Sequence, residues 1–426
     1  MFDWIRRRFN AATDPFEQFV GEFVAECRRK NMLPKSYDAN ARTFLFVRDD
    51  GVDMTVQMHN AFREWLSRDQ PGRAELIVRF VQSVAEVRSN GVISPEKLPG
   101  ELMPGVRSHA QISDLMIHSW ISGAAMDDSC ATAFQPLAGD LVACALRDQS
   151  HSMSQMTRAH LAKASLSIDD AMQHAMANFR GKLPSPAFQS LGDGLFGSNN
   201  LEDYQSALLL LVPGQDYQLP AIDGAPVAVV PGRNVFYLTG AANRPGLARL
   251  LDLAGRASEQ AHFCSSSLLQ WNGQHWTEIG SLGDEALDLR RREITQHQLA
   301  ADYNAQKQLL DECHQKRGQD IFVASLMLFR ARNSSETISV ATVASGVTGT
   351  LVPQAERLAF MRQIIDPSTG RAQQKPADTA QVAWSSAMNI VGHLFEPVPY
   401  LYPPRLRALG FPDADEWTKL KAASLM

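Results

Sequence analysis

The sequence predicts a multidomain α+β protein in which mixed or antiparallel sheets pack against helices. The chain has 426 residues, which is more than one ordinary domain contains. Hydrophobic residues make up 45% of the chain and charged residues 20%, a composition that can bury large cores. Amphipathic helical segments are interspersed with hairpins, and one of these hairpins has the pattern of a sheet centre.

The hairpin predicted for the sheet centre spans residues 225–241. Two apolar runs, 227–230 and 235–238, flank a turn that reads Pro231-Gly232-Arg233-Asn234. Proline presets φ at the second position of such a turn, and glycine accepts a positive φ at the third. Because neither apolar run alternates with polar residues, both faces should be covered, which is typical of central strands.

The first predicted domain, residues 1–100, is an α-β-β-α unit. Pro15 opens a helix over 14–30, and an apolar face begins at Phe16. Strands at 43–48 and 52–58 form a hairpin, followed by helices at 61–66 and 73–87. Residues 88–105 are rich in Pro, Gly, Ser and charge, which predicts a linker.

The second predicted domain, residues 101–285, contains the central hairpin. Its other predicted elements are a strand at 141–146, helices at 154–163 and 168–181, a helix from Pro245, and a hairpin turned by Asn272-Gly273. The third predicted domain, residues 286–426, begins with a long helix up to Gln315. Its other predicted elements are paired strands at 320–332 and 337–343, a short helix at 353–361, a polar loop at 366–378 and an extended segment at 397–404.

Composition and charge exclude several classes of protein. The net charge is −5, which is not the electrostatic pattern of a nucleic-acid-binding protein. The longest aliphatic run, 207–212, is too short to cross a bilayer, so we expect no transmembrane segment. The first nine residues lack the pattern of a secretory signal. Five scattered cysteines without a CxxC motif indicate a reducing compartment, and together these features predict a cytoplasmic protein.

Short motifs in the middle of the chain resemble those of the YtpQ-like bacterial proteins, a family of unknown function. The motifs are Leu102-Met103-Pro104-Gly105-Val106-Arg107-Ser108, Leu146-Arg147-Asp148, Ala175-Met176-Ala177-Asn178, Asp203-Tyr204-Gln205-Ser206-Ala207 and Val229-Val230-Pro231-Gly232-Arg233-Asn234-Val235. The resemblance covers roughly residues 14–280. It departs at Gly105, where the family pattern leads us to expect another residue in a turn, and it leaves out the last third of the chain. It implies a bacterial origin and an α+β fold, but no reaction.

Three patterns that suggest chemistry have simpler interpretations. The GxGxxG match at residues 192–197 follows no strand, so we interpret it as a flexible loop. Two Cys/His pairs are close in sequence, His262 with Cys264 and Cys313 with His314. The two pairs lie about fifty residues apart, whereas a structural zinc needs four ligands at characteristic spacing. The neighbours Asp148, Ser150 and His151 are better explained by a helix entry than by a catalytic triad. We therefore predict no metal site, no catalytic residues and no cofactor.

The remaining candidates for a ligand site are the polar residues within the family-like motifs: Arg107, Asp148, Asn178, Asp203 and Arg233. One hypothesis is that some of them line a groove in which two guanidiniums hold a carboxylate or phosphate. The alternative is that Asp148 and Asn178 cap helices while Arg233 is a solvated turn residue.

These observations favour a non-enzymatic binding or adaptor protein of the bacterial cytoplasm with a protein partner. No catalytic constellation is evident, whereas several modules and half-exposed strands could receive a partner segment. The alternative is a hydrolase-type enzyme with a site built from the dispersed Arg, Asp and Asn residues. The sequence does not decide between them, nor does it give the ligand or the oligomeric state.

Overall fold

The computed structural model confirms a mixed α+β fold. It describes residues 14–425, except 41, 50, 52, 90–93, 184, 260–261, 331–335, 363, 366–371 and 374–378. Within these residues the strands form separate sheets of two to six strands, nearly all antiparallel. We refer below to an N-terminal unit (residues 14–89), a central core (98–279) and a C-terminal module (285–425).

The N-terminal unit is a three-stranded antiparallel sheet covered by three helices. Its elements are α1 (Pro15–Arg29), β1 (Ser36–Asp38), β2 (Thr43–Val47), β3 (Asp53–Gln57), α2 (His59–Leu66) and α3 (Gln70–Ser89). The Asp14 side chain accepts a hydrogen bond from the Phe16 amide, and Pro15 lies at the first helical position, as predicted. Phe19 and Phe23 of α1 are fully buried, Phe23 against Phe44 of β2 and Phe19 against Phe62 and Trp65 of α2. Strand β1 was not predicted.

The central core contains two sheets and most of the motifs described above. Its elements are α4 (Leu98–Glu101), β4 (Leu102–Ser108), α5 (His109–Ile121), β5 (Phe134–Ala138), β6 (Leu141–Asp148), β7 (Met153–Gln155), α6 (Arg158–Lys163), α7 (Ile168–Lys182), β8 (Ala187–Ser190), β9 (Phe196–Asn199), a 3-10 helix (Glu202–Leu210), β10 (Pro226–Gly232), β11 (Val235–Gly240), α8 (Arg244–Gly255), a 3-10 turn (Ala257–Glu259), β12 (Leu269–Trp271) and β13 (Trp276–Glu278).

The central hairpin lies where the sequence predicts it. Strands β10 and β11 are the two middle strands of a six-stranded sheet in the order β13-β12-β10-β11-β9-β8. The predicted turn residues are wrong, however. Gly232 pairs with Val235, so Arg233 and Asn234 form the turn, and a bulge interrupts the register after Val229. The prolyl and glycyl residues continue the strand, and Gly232 does not adopt a positive φ.

The predicted linker over residues 88–105 is wrong at its C-terminal end, and residues 90–93 lie outside the described part of the chain. Its last part forms α4 and the first residues of β4, a fully buried strand that pairs with β6. Gly105 therefore lies in a strand rather than in a turn. A Cβ atom at this position would be 2.5 Å from Cδ1 of Leu146, so close packing against β6 requires glycine there.

The C-terminal module combines one long helix with short strands. Its elements are α9 (Glu285–Lys316), β14 (Met327–Arg330), β15 (Thr337–Ala344), β16 (Leu351–Pro353), β17 (Arg357–Met361), β18 (Ile364–Ile365), β19 (Ala372–Gln373), β20 (Thr379–Ala383), α10 (Trp384–Val391), a 3-10 turn (Gly392–Leu394), β21 (Phe395–Pro397), β22 (Arg405–Ala408) and α11 (Ala414–Ala422). Helix α9 and the β14–β15 pair agree with the prediction, although the predicted turn at 333–335 lies outside the described residues.

Two predictions for this module are wrong. Residues 353–361 form β16 and β17 rather than a helix, because β17 is buried between a parallel neighbour, β15, and an antiparallel one, β20. The proline-rich segment 397–404 is not extended throughout. It reverses direction at Tyr400, whose φ is +68°, and joins β21 to β22. Most of the predicted polar loop at 366–378 lies outside the described residues.

The C-terminal module packs directly on the central core. Met116, Ile117 and Trp120 of α5 form one buried cluster with Leu310 and Cys313 of α9. This contact extends along the two helices, so α9 is the element that joins the two parts of the chain.

Candidate functional site

The five predicted site residues lie on five different elements of the central core. Arg107 is in β4, Asp148 ends β6, and Asn178 is in α7. Asp203 is in the 3-10 helix that precedes the central hairpin, and Arg233 is in the turn of that hairpin.

Arg107 is a largely buried cation. Its side chain leaves β4 beside β6, and the residue is only 8% exposed. Its Nη1 atom donates to the carbonyl of Val106 at 2.9 Å, and Nη2 lies 3.6 Å from Sδ of Met153. Among the described residues it forms no ion pair. A guanidinium has five N–H donors, so this one keeps hydrogen-bonding capacity.

Arg233 and Asp203 form an ion pair next to this cation. The Nε atom of Arg233 lies 3.4 Å from Oδ1 of Asp203, but it is buried and makes no well-aligned hydrogen bond. Backbone bonds fix the turn: the Ser206 amide donates to the Arg233 carbonyl, and the Arg233 amide donates to the carbonyl of His262. Burial lowers the pKa of Arg233. The charge of Asp203 opposes this shift, and that of Arg107 adds to it.

His262 completes the group, although its sequence context suggested only a metal ligand. Burial, and then the charge of Arg233, lower the pKa of its imidazole to about 4. The ring is therefore neutral near pH 7 and can accept or donate a hydrogen bond. We call Arg107, Asp203, Arg233 and His262 the two-arginine site.

The N-terminal unit contributes charge at the edge of this site. The carboxylate of Glu64 in α2 acts electrostatically on both Arg233 and His262. It is also bonded to two arginines of its own unit, Arg68 at 2.5 Å and Arg79 at 2.7 Å. The site is thus bordered by more guanidiniums than carboxylates.

Asp148 lies beside Tyr204, and the charge of Asp203 also acts on its carboxyl. Burial raises the pKa of the Asp148 carboxyl, and the nearby hydroxyl of Tyr204 opposes this shift. The hydroxyl lies close to the carboxyl but lacks the geometry of a well-formed hydrogen bond. Burial, and then the Asp148 charge, raise the pKa of Tyr204.

Asn178 does not belong to this group. Its Nδ2 atom donates to the carbonyls of Pro99 at 2.7 Å and Leu102 at 2.9 Å. These bonds use both amide hydrogens to hold the corner between α4 and β4. Neither Asn178 nor Asp148 caps a helix, since α6 is capped by Thr157 and α7 by Ser167.

The structure therefore brings Arg107, Asp203 and Arg233 together, and Asp148 adjoins this group through Tyr204. The sequence did not predict that His262 and Glu64 lie here. Only the fold places α2, which carries Glu64, and the segment before β12, which carries His262, beside the central hairpin. Tyr204 could have been predicted as a neighbour of the site, because it follows Asp203 directly in a family-like motif.

Two cavities lie elsewhere on the molecule. One, of ≈ 240 Å³, is lined by Phe179, the Arg180–Asp216 ion pair and Gln215. The other, of ≈ 530 Å³, is a shallow groove between α1 and α3 beside Ala25 and Ile77. Neither includes a residue of the two-arginine site.

The other features considered in the sequence give no site within the described part of the chain. The glycine-rich stretch at 192–197 forms a turn that leads into β9, and Gly192 and Gly194 have positive φ. No group of three or more His, Cys, Asp or Glu side chains among the described residues could hold a metal ion. No helix there is long and apolar enough to cross a membrane.

A scan against protein-family models and searches of curated proteins and solved structures found no match. The resemblance to the YtpQ-like family therefore stays a prediction, and function has to be argued from the site alone.

Proposed function

We propose that this protein is a non-enzymatic binding or adaptor protein of the bacterial cytoplasm, whose two-arginine site holds an acidic group of a protein partner. The observation that carries the proposal is Arg107, a cation that is 8% exposed and has no ion-pair partner among the described residues. A desolvated charge without a counter-charge is costly, and an incoming anion would remove that cost.

The neighbouring groups favour an anion over a neutral ligand. Arg233 pairs with one carboxylate, that of Asp203, whose side chain is half exposed. Arg107 has no carboxylate partner among the described residues. Planar guanidiniums bind carboxylates and phosphates through paired hydrogen bonds. The neutral His262 ring leaves this positive charge unchanged near pH 7 and offers a further hydrogen bond.

A second feature supports a protein as the source of the acidic group. Strand β14 is the edge of the four-stranded sheet in the C-terminal module, and among the described residues it pairs with β15 alone. Met327 and Phe329 on this strand are 40% and 51% exposed. Exposed apolar side chains on a free strand edge are typical of a surface that accepts an extended segment.

The test compares two arginines whose ion pairs have the same length but lie in different parts of the core. Arg233 pairs with Asp203 at 3.4 Å, and Arg249 pairs with Asp193 at 3.4 Å in a different part of the core. Tagged protein is purified from its own cells, and co-purifying proteins are identified and then measured by titration with the purified partner. We expect Arg233→Glu to weaken binding at least about tenfold, the value of one charge-assisted contact, and Arg249→Glu to leave it unchanged.

Equal binding by both variants would contradict the proposed site. A clean protein without any partner would contradict the adaptor function and favour the alternative, a hydrolase. That alternative draws on the raised pKa of Asp148 beside Tyr204, and it predicts loss of a measurable ester or phosphoester hydrolysis in Asp148→Asn.

A further inference from the structure

The contact between the central core and the C-terminal module contains a group of partly buried carboxylates. Asp114 projects from α5, Asp140 lies in the turn between β5 and β6, and Asp302 projects from α9. Tyr402, from the segment between β21 and β22, lies among them, because the charges of Asp140 and Asp302 both act on its phenol. We call these four residues the carboxylate contact.

Tyr402 ties the C-terminal segment to the core at this place. Its ring stacks on the imidazole of His109 with the ring centres 4.0 Å apart and an interplanar angle of 15°. Its amide donates to Oγ of Ser113 at 3.0 Å. The segment therefore depends on α5, the helix that also carries Asp114.

The carboxylates have neutral partners only. Oγ of Ser265 donates to Asp140, and Nε2 of Gln298 donates to Asp302 at 2.8 Å. Oδ1 of Asp114 is buried and has no hydrogen-bond partner among the described residues.

The charged and titratable groups that face the carboxylates supply no positive charge to offset theirs. From the core these are Glu278 and His109, and from the C-terminal module Tyr303 and Tyr402. The charges of Asp114 and Asp140 both act on Asp302, and the charge of Glu278 acts on Asp140. No cation of the described residues is among the charges that shift these three carboxylates. The contact thus brings together like charges from two parts of the chain.

We propose that protonation of Asp114, Asp140 and Asp302 holds the C-terminal module against the central core, so that this contact loosens as the pH rises from acidic values to neutrality. The device is independent of the two-arginine site, since it uses other elements and other residues. It would expose the facing sides of α5 and α9 in response to a change in proton concentration.

The direction follows from the pKa shifts. Burial raises the pKa of Asp114 to about 7 and that of Asp140 to about 6, from an ordinary value of 3.8. Burial, with the charge of Asp140, raises that of Asp302 to about 7. A raised carboxyl pKa stabilises the packed form at low pH. This contribution declines as the pH rises above the ordinary value of 3.8 and is lost once the pH has passed the raised values of about 6 to 7. The equilibrium for opening then grows by up to about tenfold per pH unit for each proton released.

The test is hydrogen–deuterium exchange of the full-length protein at pH 5.5 and pH 8.0, corrected for the intrinsic exchange rates. We expect amides of α5 and of residues 400–402 to lose protection at pH 8.0, whereas amides of α1 keep theirs. Asp302→Asn mimics the protonated carboxyl and should reduce the change by about tenfold. Asp311→Asn, on the same helix but in an exposed pair with Lys307, should leave the change as in the unmodified protein.

Two results would overturn the proposal. One is a loss of protection in α5 that Asp302→Asn and Asp114→Asn both leave unchanged. The other is a contact that gains protection as the pH rises. Because asparagine has the size and polarity of a protonated aspartate, both variants should fold.

Discussion

Arg405 and Arg107 are both buried arginines without an ion-pair partner among the described residues, yet their surroundings differ. Arg405, 1% exposed, donates to Oε1 of Gln306 at 2.5 Å and to three carbonyls, those of Tyr303, Ala324 and Leu351, at 2.8–3.1 Å. Arg107 has one carbonyl and one thioether sulfur as partners.

The difference separates a scaffold residue from a candidate binding residue. Arg405 connects α9, the start of β16 and β22, so its hydrogen bonds join three parts of one module. Burial lowers its pKa to about 10, so it stays charged at neutral pH without any carboxylate. The guanidinium of Arg107 uses fewer of its donors on the protein and therefore retains capacity for a ligand.

Of the variants that test this difference between the two arginines, Arg405→Met should have the largest effect on the free energy of unfolding. The substitution removes the guanidinium donor from three carbonyls and from the Gln306 side chain, which should lower the free energy of unfolding by about 3 kcal/mol or more. Urea unfolding measures this change. Arg407→Met on the same strand is the control, because that residue is exposed and its 3.8 Å pair with Glu396 contributes little. Similar losses in both variants would contradict the scaffold role of Arg405.

A smaller loss of stability is expected for a substitution in β4, the strand that carries Arg107, where it packs on β6. In Gly105→Ala the new Cβ atom would lie 2.5 Å from Cδ1 of Leu146, and the overpacking should cost about 1–3 kcal/mol. Thermal unfolding checks this value against Gly280→Ala, where a Cβ atom meets nothing within 4 Å. If the two alanine variants unfold alike, β4 is less tightly packed than described.

The smallest effect on stability is expected for Arg107→Met. Methionine keeps the apolar stem and removes a desolvated charge, so the free energy of unfolding should change by less than about 1 kcal/mol. Binding of the partner should nevertheless fall as in Arg233→Glu. A loss of stability as large as that of Arg405→Met would show that Arg107 is also a scaffold residue.

Several elements could be predicted because their determinants are local. Helix α1 follows from Asp14, Pro15 and the spacing of its phenylalanines, and α7 begins at the predicted Ser167 cap. The hairpin through Asn272-Gly273 forms as predicted, with Gly273 at φ +97°. In each case, hydrogen bonds and periodicity within a few residues decide the structure.

Other elements depended on packing between distant residues. Strand β4 contains Pro104 and Gly105, which locally indicate a linker, yet pairing with β6 makes it a buried strand. Strand β17 was mistaken for a helix because its structure is decided by β15 and β20 on either side.

The sequence by itself determined the α+β class, the central hairpin and three of the residues that meet at the two-arginine site. Only the tertiary structure decided that His262 belongs to that site and Glu64 borders it, that Asn178 holds a backbone corner, and that three aspartates from distant segments meet at one contact. The physical reason is that propensity and capping act over a few residues, whereas burial and charge depend on which distant segments the fold brings together.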